Sequence, residues 1–346
     1  MNIILKNLTT EELCNQIKPL GGSLYLARKI QTAALCHNDM LKHGPGISGR
    51  VLVRVRESCV LPQLKMLDRI ESSKDRFVRY VFEGESKGAI EAVRIPLLHR
   101  HDDYKYVVCV SSQIGCPMGC AFCFTGKMGF VRNLSPWEIV DQVVQIAGDS
   151  QYPVKGVVFM GMGEPMLNYD AVMKAAGILC EPCGMAISSK AITISTSGIV
   201  PGIKRFIEDK KKYRLIVSLT SANPAIRLKL MPVEKKWSTD LLMESLREYH
   251  KNTNERIILS WTLISGVNTG IIDAKELAMI TKGLPVKIDL IDVNDPEGKF
   301  NPPSNEELNF FRDALRRELA MPVSRRYSGG ADIKAGCGML ASHFQN

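Results

Sequence analysis

From about residue 105 onward the chain repeats one rhythm, strand, loop, helix, and that rhythm limits the folds open to it. Short β-branched runs at Tyr106–Ser111, Gly156–Met160, Ala191–Ser195, Arg214–Leu219, Ile257–Leu263, Val286–Ile291 and Val323–Tyr327 read as strands. Helical segments fall between them. Ser135-Pro136-Trp137-Glu138 combines an N-cap, proline in the first turn and a box glutamate before Ile139–Ala147, and Ser304 with Glu307 predicts the same start before Leu308–Leu319. Alternating βα units need parallel strands joined by right-handed crossovers, in a doubly wound sheet or a full or partial barrel. In each of these, ligands gather at the C-terminal ends of the strands.

Residues 1–100 read differently. Thr9-Thr10-Glu11-Glu12 is a capping-box start, further helices are predicted over Ser23–Leu35 and Gly49–Glu57, and Phe77–Phe82 with Ala89–Ile95 reads as a β-pair around the turn 84–88. This is an expected α+β accessory module. It is also basic, with 16 Lys and Arg against 10 Asp and Glu. The whole 346-residue chain has 45 basic and 36 acidic side chains, net +9, and the other basic concentration lies in 201–250, around Lys210-Lys211-Lys212. Clustered positive charge fits a nucleic-acid partner, although a merely basic surface has the same composition. At 45% hydrophobic and 23% charged the chain has ample core material, which excludes a disordered tail or a disulfide-stapled miniprotein. No run of 18 apolar residues and no signal-peptide pattern is present, so a soluble cytoplasmic protein without membrane contact is expected.

Ten cysteines in such a chain point to metal or catalytic chemistry before disulfides. One group stands out: Cys116-Pro-Met-Gly-Cys120-Ala-Phe-Cys123, directly after the first strand of the repeating part. Three thiolates can each hold one iron of a [4Fe–4S] cube and leave the fourth iron open to a small molecule. Structural zinc wants four closed ligands, and no fourth Cys or His follows in Phe124-Thr125-Gly126-Lys127. Met160-Gly-Met-Gly-Glu164-Pro165 ends the second strand, Ser195-Thr-Ser-Gly198 the third, Ser218-Leu219-Thr220 the fourth, and Asn294 follows the sixth. Polar residues at successive strand ends describe one pocket over the cysteines.

Together these residues resemble the radical S-adenosylmethionine (SAM) superfamily and, within it, the RlmN/Cfr family of RNA adenine methyltransferases. The likeness runs through Cys109-Val-Ser-Ser-Gln-Ile-Gly-Cys116, Met160–Pro165, Ile194–Pro201, Gly266-Val267-Asn268, Asp332-Ile333 and Cys337-Gly338, nearly the whole chain. The resemblance implies a partial (β/α)6 barrel at 101–330, the accessory domain 1–100 as RNA-binding, and a C-terminal segment 331–346 carrying a methyl-accepting cysteine. It implies that Cys116, Cys120 and Cys123 hold the [4Fe–4S] cluster and that Gly163, Glu164, Ser195, Ser218, Leu219, Thr220 and Asn294 occupy SAM-contacting positions. In the implied chemistry one SAM methylates Cys337, and a second yields a 5′-deoxyadenosyl radical that activates that methyl group. The carbon radical adds to an adenine of 23S rRNA or tRNA, at C2 in the preferred reading and at C8 in the alternative one. Cys109 then releases the product by forming a transient disulfide with Cys337, and Glu91 accepts a proton. A monomer served by an electron donor such as flavodoxin or ferredoxin completes the expectation.

Outside that resemblance, Cys337 reads as an idle thiol in a flexible Ala-Gly-Cys-Gly segment, Cys109 as core, and Glu91 as a strand carboxylate. Cys180-Glu-Pro-Cys183 has CxxC spacing without a thioredoxin-type setting and, with Cys14, Cys36 and Cys59, reads as structural. The chain also departs from the family at Thr220, where histidine is usual, at Lys334 and Gly336, at Asp295, and at Met339 in place of glutamine. These departures surround the substrate and the C-terminal segment, so they bear on the target. A radical-SAM enzyme with a non-RNA substrate and a non-catalytic iron–sulfur RNA-binding protein are the competing readings.

Overall fold

The computed structural model describes residues 2–86, 88–97, 104–295 and 297–340. The expected division at 100/101, Lys87 in the predicted 84–88 turn, Pro296 and the tail after Leu340 lie outside the described residues.

The N-terminal part opens with the short parallel pair β1 (Ile3–Ile4) and β2 (Cys59–Val60) and the helices α1 (Thr10–Ile17), α2 (Leu24–Cys36) and α3 (Gly49–Ser58). The capping box forms as expected: Thr9 Oγ1 accepts from the Glu12 N–H at 3.4 Å, and the Glu12 carboxylate accepts from the Thr9 N–H at 2.8 Å. Leu5, Leu13, Ile17, Leu26, Ile30, Leu52 and Val55 pack into a core of their own.

The strands β3 (Lys65–Glu71), β4 (Val78–Glu83) and β5 (Ala89–Leu97) do not belong to that small core. They run antiparallel and join β6 (Lys105–Cys109), so one sheet crosses the expected boundary. A hairpin of β7 (Gln113–Gly115) and β8 (Phe130–Asn133) flanks α4 (Phe124–Lys127), and α5 (Pro136–Gly148) follows. Then come β9 (Val154–Phe159), α6 (Tyr169–Leu179), β10 (Ile192–Thr196), α7 (Val200–Glu208), β11 (Arg214–Ser218), α8 (Pro224–Leu230), α9 (Thr239–Thr253), β12 (Ile257–Leu263), α10 (Ile271–Ile280), β13 (Val286–Asp292), α11 (Asn305–Leu319) and β14 (Val323–Arg326). The ten-stranded sheet has the order β14-β13-β12-β11-β10-β9-β6-β5-β4-β3, parallel from β6 to β14. Strand order that follows chain order is the order of a barrel wall rather than of a doubly wound sheet, which reverses at a switch point. The helices pack on one another in the same sequence, α5 on α6, α7 on α9 and α10 on α11. The result is an α/β fold built as an open, partial barrel, with no closed ring of strands among the described residues.

The two ends of this sheet are tied by side chains. Tyr327, just after β14, donates its hydroxyl to Asp75 at 3.0 Å, and the Gly330 N–H donates to the same carboxylate at 2.8 Å. Asp75 sits in the turn between β3 and β4, where the Phe77 and Tyr327 rings also meet edge to face at 6.2 Å. Ser72 Oγ donates to Asp332 at 2.9 Å.

Candidate active site

The three-cysteine loop is shaped by a backbone approach that only glycine permits. Gly115 has φ +70°, and a Cβ there would lie 1.9 Å from the Gly129 carbonyl oxygen. The chain therefore folds tightly onto β8, and the Cys116 N–H donates to Gly129 O at 2.9 Å. The Cys123 N–H closes a turn on Cys120 O at 3.0 Å, and Ala121 N–H donates to Leu230 O at the end of α8 at 2.9 Å. All three thiols face a cavity of about 880 Å³, including its open mouth, at the C-terminal ends of the parallel strands.

Burial pushes the Cys116 thiol up to about 12, raises Cys120 well above its ordinary range and raises Cys123. Charges on Cys116 and Cys123 further raise Cys120, so the three sulfurs lie within electrostatic reach of one another. Three converging thiolates in a dry pocket repel unless positive metal sits among them. Among the described residues no three Cys, His, Asp or Glu side chains are gathered to hold a single ion. Three thiolates in a Cx3CxxC loop are instead the donor set of a cluster in which each takes its own iron.

Gly163 and Glu164 form the next stretch of wall. Gly163 has φ +100°, and a Cβ there would fall 2.5 Å from Gln113 Cβ. This contact lets the Glu164 N–H donate to Gln113 Oε1 at 2.8 Å. The Glu164 carboxylate accepts from the Ser197 N–H at 2.7 Å, from Ser197 Oγ at 2.8 Å and from the Met166 N–H at 3.0 Å. Burial outweighs those bonds and holds the carboxyl above the usual carboxylate range. Ser195, Ser218 and Asn294 line the same cavity, with Ser260 donating to Ser218 Oγ at 3.3 Å.

Leu219 and Thr220, also expected at the cavity, are fully buried behind its wall. The chain turns away there because Thr220 adopts φ +63°, and the Leu219 and Thr220 carbonyls accept from Arg227 Nε at 3.2 Å and Asn268 Nδ2 at 2.7 Å. Lys210–Lys212 precede β11 and so lie at the opposite end of the strands, about 16 Å of extended chain from the cavity.

Cys337 holds the most informative position. The segment after β14 reads as flexible from its glycines, yet it is pinned: Phe124 N–H donates to Gly338 O at 2.8 Å, Thr125 Oγ1 to Leu340 O at 3.1 Å, and Asn294 Nδ2 to Ser328 Oγ at 2.8 Å and Cys337 O at 3.3 Å. This places Cys337 in the wall of the large cavity and also of a second chamber of about 590 Å³. The second chamber is lined by Cys109, Phe77, Val93, Ile95 and Tyr327, and the two spaces share Cys123, Met160, Gly161, Cys337 and Gly338. Cys337 is an exposed residue that lines both spaces.

Burial pushes the Cys109 thiol up to about 12, with the charge of Cys337 adding to it. Burial also raises Cys337, while Arg326 opposes that rise. Arg326 is held with Nε 2.9 Å from Asp289 and Nη1 3.7 Å from the sulfur of Met160, a residue that lines both spaces. Glu91 is fully buried in β5, on the strand face shared with Val93 and Ile95, and feels the charge of the buried Arg79. Its backbone carbonyl accepts from Ser111 Oγ at 2.6 Å.

Sequence reasoning missed Ser260, Thr262 and Asp292, which also line the large cavity. Two hydroxyls spaced by two on the otherwise apolar β12 were the available signal. It also missed Arg326, hidden in an Arg-Arg pair.

Residues 110–278 match the model of the radical SAM superfamily. The chain is 45% identical over 342 residues to a probable RNA methyltransferase of Myxococcus xanthus, covering 98% of this chain and 94% of that one. It is 36% identical over 343 residues to a probable dual-specificity RNA methyltransferase RlmN of Leptospira interrogans, covering 98% and 96%. The crystal structure of a radical SAM methyltransferase from Sphaerobacter thermophilus superposes with a TM-score of 0.88 at 33% identity, covering 97% of this chain and 98% of that one. The superfamily's [4Fe–4S] cluster and SAM are thus the cofactors of this fold, and the chain belongs to the radical SAM methyltransferases of the RlmN family.

Proposed function

We propose that this enzyme methylates C2 of an adenine in RNA, 23S rRNA or tRNA, by passing the methyl group through Cys337. The observation that carries the reading is the place of Cys337 between two spaces, one walled by Cys116, Cys120 and Cys123 and the other by Cys109. A thiol that first receives a methyl group and later meets a second thiol needs this double exposure.

In this reading Cys116, Cys120 and Cys123 hold the cluster, and Gly163, Glu164, Ser195, Ser218 and Asn294 shape the SAM site, with Leu219 and Thr220 supporting it from behind. When bound, the cofactors supply the methyl group and the radical chemistry. The protein's own residues do the rest. Arg326 favours the Cys337 thiolate that accepts the methyl group, countering the burial that disfavours it. Asn294, Phe124 and Thr125 hold the segment carrying that sulfur. Cys109 waits in the second chamber as a protonated thiol. Once the adenine carbon is bonded to the methylene, Cys109 gives up its proton and attacks the sulfur of residue 337. The S–S bond forms as the S–CH2 bond breaks, and the released carbon takes that electron pair and a proton to become the methyl group of the RNA. Glu91 accepts the proton lost from the ring. The net positive charge of residues 1–100 supports RNA approach from the N-terminal side. Among the described residues no helix is long and apolar enough to cross a membrane. A cytoplasmic monomer served by a flavodoxin or ferredoxin completes the proposal.

The test is anaerobic: reconstituted enzyme, methyl-deuterated SAM, reductant and RNA from cells lacking this family, followed by nucleoside mass spectrometry. Labelled 2-methyladenosine is expected. Labelled 8-methyladenosine would move the position, and 5′-deoxyadenosine without any labelled nucleoside would remove RNA as the substrate. The C337A enzyme should produce no methylated nucleoside.

A further inference from the structure

The outer face of the cysteine loop carries a groove that the chemistry above does not use. Pro117, Met118, Pro232, Lys235, Lys236 and Trp237 line an open hollow of about 750 Å³. Its floor is the back of the cluster loop. Ala121 N–H is bonded to Leu230 O at 2.9 Å, a Cβ on Gly119 would touch Pro232 Cγ at 3.9 Å, and Met118 lines both this groove and the large cavity.

Its charge has one sign. Between Pro224 and Thr239 the one carboxylate, Glu234, is buried against Arg227, while Lys229, Lys235 and Lys236 are exposed. Among the described residues none of these three lysines forms an ion pair; Lys236 instead lies over the Trp237 ring, 4.6 Å from its centroid. An aromatic platform rimmed by unpaired cations is shaped for an acidic partner with an apolar centre.

We propose that this groove docks the one-electron donor, a small acidic redox protein of the flavodoxin or ferredoxin type. The inference needs the family's cluster chemistry but not its RNA target. The position decides between the two classes of partner. A base that is to be methylated must enter the chamber of Cys109 and Cys337, which shares no lining residue with this groove. An electron needs only a short path through the loop, and Met118 spans it, its sulfur accepting from Ser197 Oγ at 3.1 Å on the cavity side. Donor and substrate then occupy opposite sides of the cluster loop and do not compete. In the transfer the donor is oxidised by one electron and the enzyme's centre is reduced by one, with no bond made or broken.

The experiment uses reconstituted holoenzyme and a bacterial flavodoxin of acidic surface. Zero-length carbodiimide coupling, mapped by peptide mass spectrometry, should join flavodoxin carboxylates to Lys229, Lys235 or Lys236. K235E/K236E should weaken flavodoxin binding at least tenfold at low salt, while affinity for RNA and the rate of cluster reduction by dithionite stay within twofold. K235Q/K236Q should fall between the two, and raising the salt should reduce the difference. Unchanged flavodoxin affinity in K235E/K236E, or cross-links confined to lysines elsewhere, would overturn the proposal. A matching loss of RNA affinity would reassign the groove to RNA.

Discussion

Arg227 is the structural tie of the candidate active site, and replacing it with methionine gives a demanding test. Its guanidinium is fully buried and spans three loops: Nη1 pairs with Glu234 at 2.5 Å, Nη2 donates to Ser197 O at 2.8 Å and Nε donates to Leu219 O at 3.2 Å. Glu234 in turn accepts from the Thr239 N–H at 2.8 Å and from Thr239 Oγ1 at 3.0 Å. Methionine matches the length of the stem but makes none of these bonds. It leaves a buried carboxylate without its counter-charge and the Ser197 carbonyl without the Arg227 donor, while Leu219 O keeps the Ser221 N–H at 2.7 Å. Breaking a buried pair on one side costs about 3–5 kcal/mol, and that figure is the expected loss for R227M. The companion R227M/E234L removes the uncompensated charge too, so about 1–3 kcal/mol should return relative to R227M. Anaerobic urea unfolding of the reduced protein measures both. R227M should also take up less iron on reconstitution, because Arg227 holds the Ser197 loop and α8 against the loop of Cys120. A loss below about 1 kcal/mol in R227M, or a double variant no more stable than the single one, would refute the reasoning.

The G163A substitution should cost about 2–4 kcal/mol, since its Cβ would lie 2.5 Å from Gln113 Cβ at a positive φ, and it should weaken SAM binding; calorimetry showing wild-type affinity would count against Gly163 shaping that site. Cys109, pushed up to about 12, should react with iodoacetamide at pH 8 roughly a thousandfold more slowly than a free peptide thiol, whereas quantitative labelling in minutes would contradict its burial. Because the folded state keeps that thiol protonated, it binds the extra proton above pH 9, and the thiol's contribution to stability should fall as pH rises from about 9 towards 12. Asp75 is held below the usual carboxylate range by the Gly330, Ser72, Tyr327 and Phe77 donors, against the opposing effect of burial. Its contribution is therefore present above the unfolded value near 3.9 and is lost as pH falls through the lowered folded value. D75A should accordingly speed proteolytic cleavage within residues 327–340, and an unchanged cleavage pattern would show that the tie is dispensable.

What could be read from the sequence followed from how local its cause was. The parallel strands carry their own apolar runs, and the capping boxes at Thr9 and Ser135 form as read. At Ser304 the side chain caps as expected, but Glu307 instead accepts from Ser265 Oγ at 2.7 Å and from the Gly266 N–H at 2.9 Å, partners more than forty residues away. β3 was missed because Lys65-Met-Leu-Asp-Arg-Ile-Glu is almost wholly exposed at the sheet edge and shows no buried alternation. Leu219 and Thr220 sit behind the cavity wall for a backbone reason. A threonine at φ +63° is disfavoured, so nothing in Ser-Leu-Thr announces the turn away from the cavity. The position of Lys210–Lys212 was, by contrast, available: residues just before a parallel strand lie at the end opposite the site. The C-terminal segment reads as flexible because its glycines are visible and its anchors, Asp75, Phe124 and Asn294, are not.

The chamber shared by Cys109 and Cys337 shows what the N-terminal strands contribute to the site. Cys109 ends β6 and Cys337 follows β14, and six strand spacings separate those strands in the sheet. At about 4.8 Å each, that is roughly 29 Å across a flat sheet, far beyond the reach of any thiol pair. Yet the two cysteines line one chamber and feel each other's charge. Curling of the sheet and the segment that returns after β14 together remove that distance, and the return is fixed by Asp75 and Ser72 in the turn between β3 and β4. The antiparallel strands therefore do more than attach an accessory module. Added beyond β6, they extend the wall until its far end meets the near one, and Phe77 and Tyr327 seal the contact beside Cys109. A barrel closed by strands would leave no opening for this segment, and an open sheet without β3–β5 would leave it nothing to dock on. The two-chambered site depends on the barrel being closed by a mobile-looking tail that is in fact anchored.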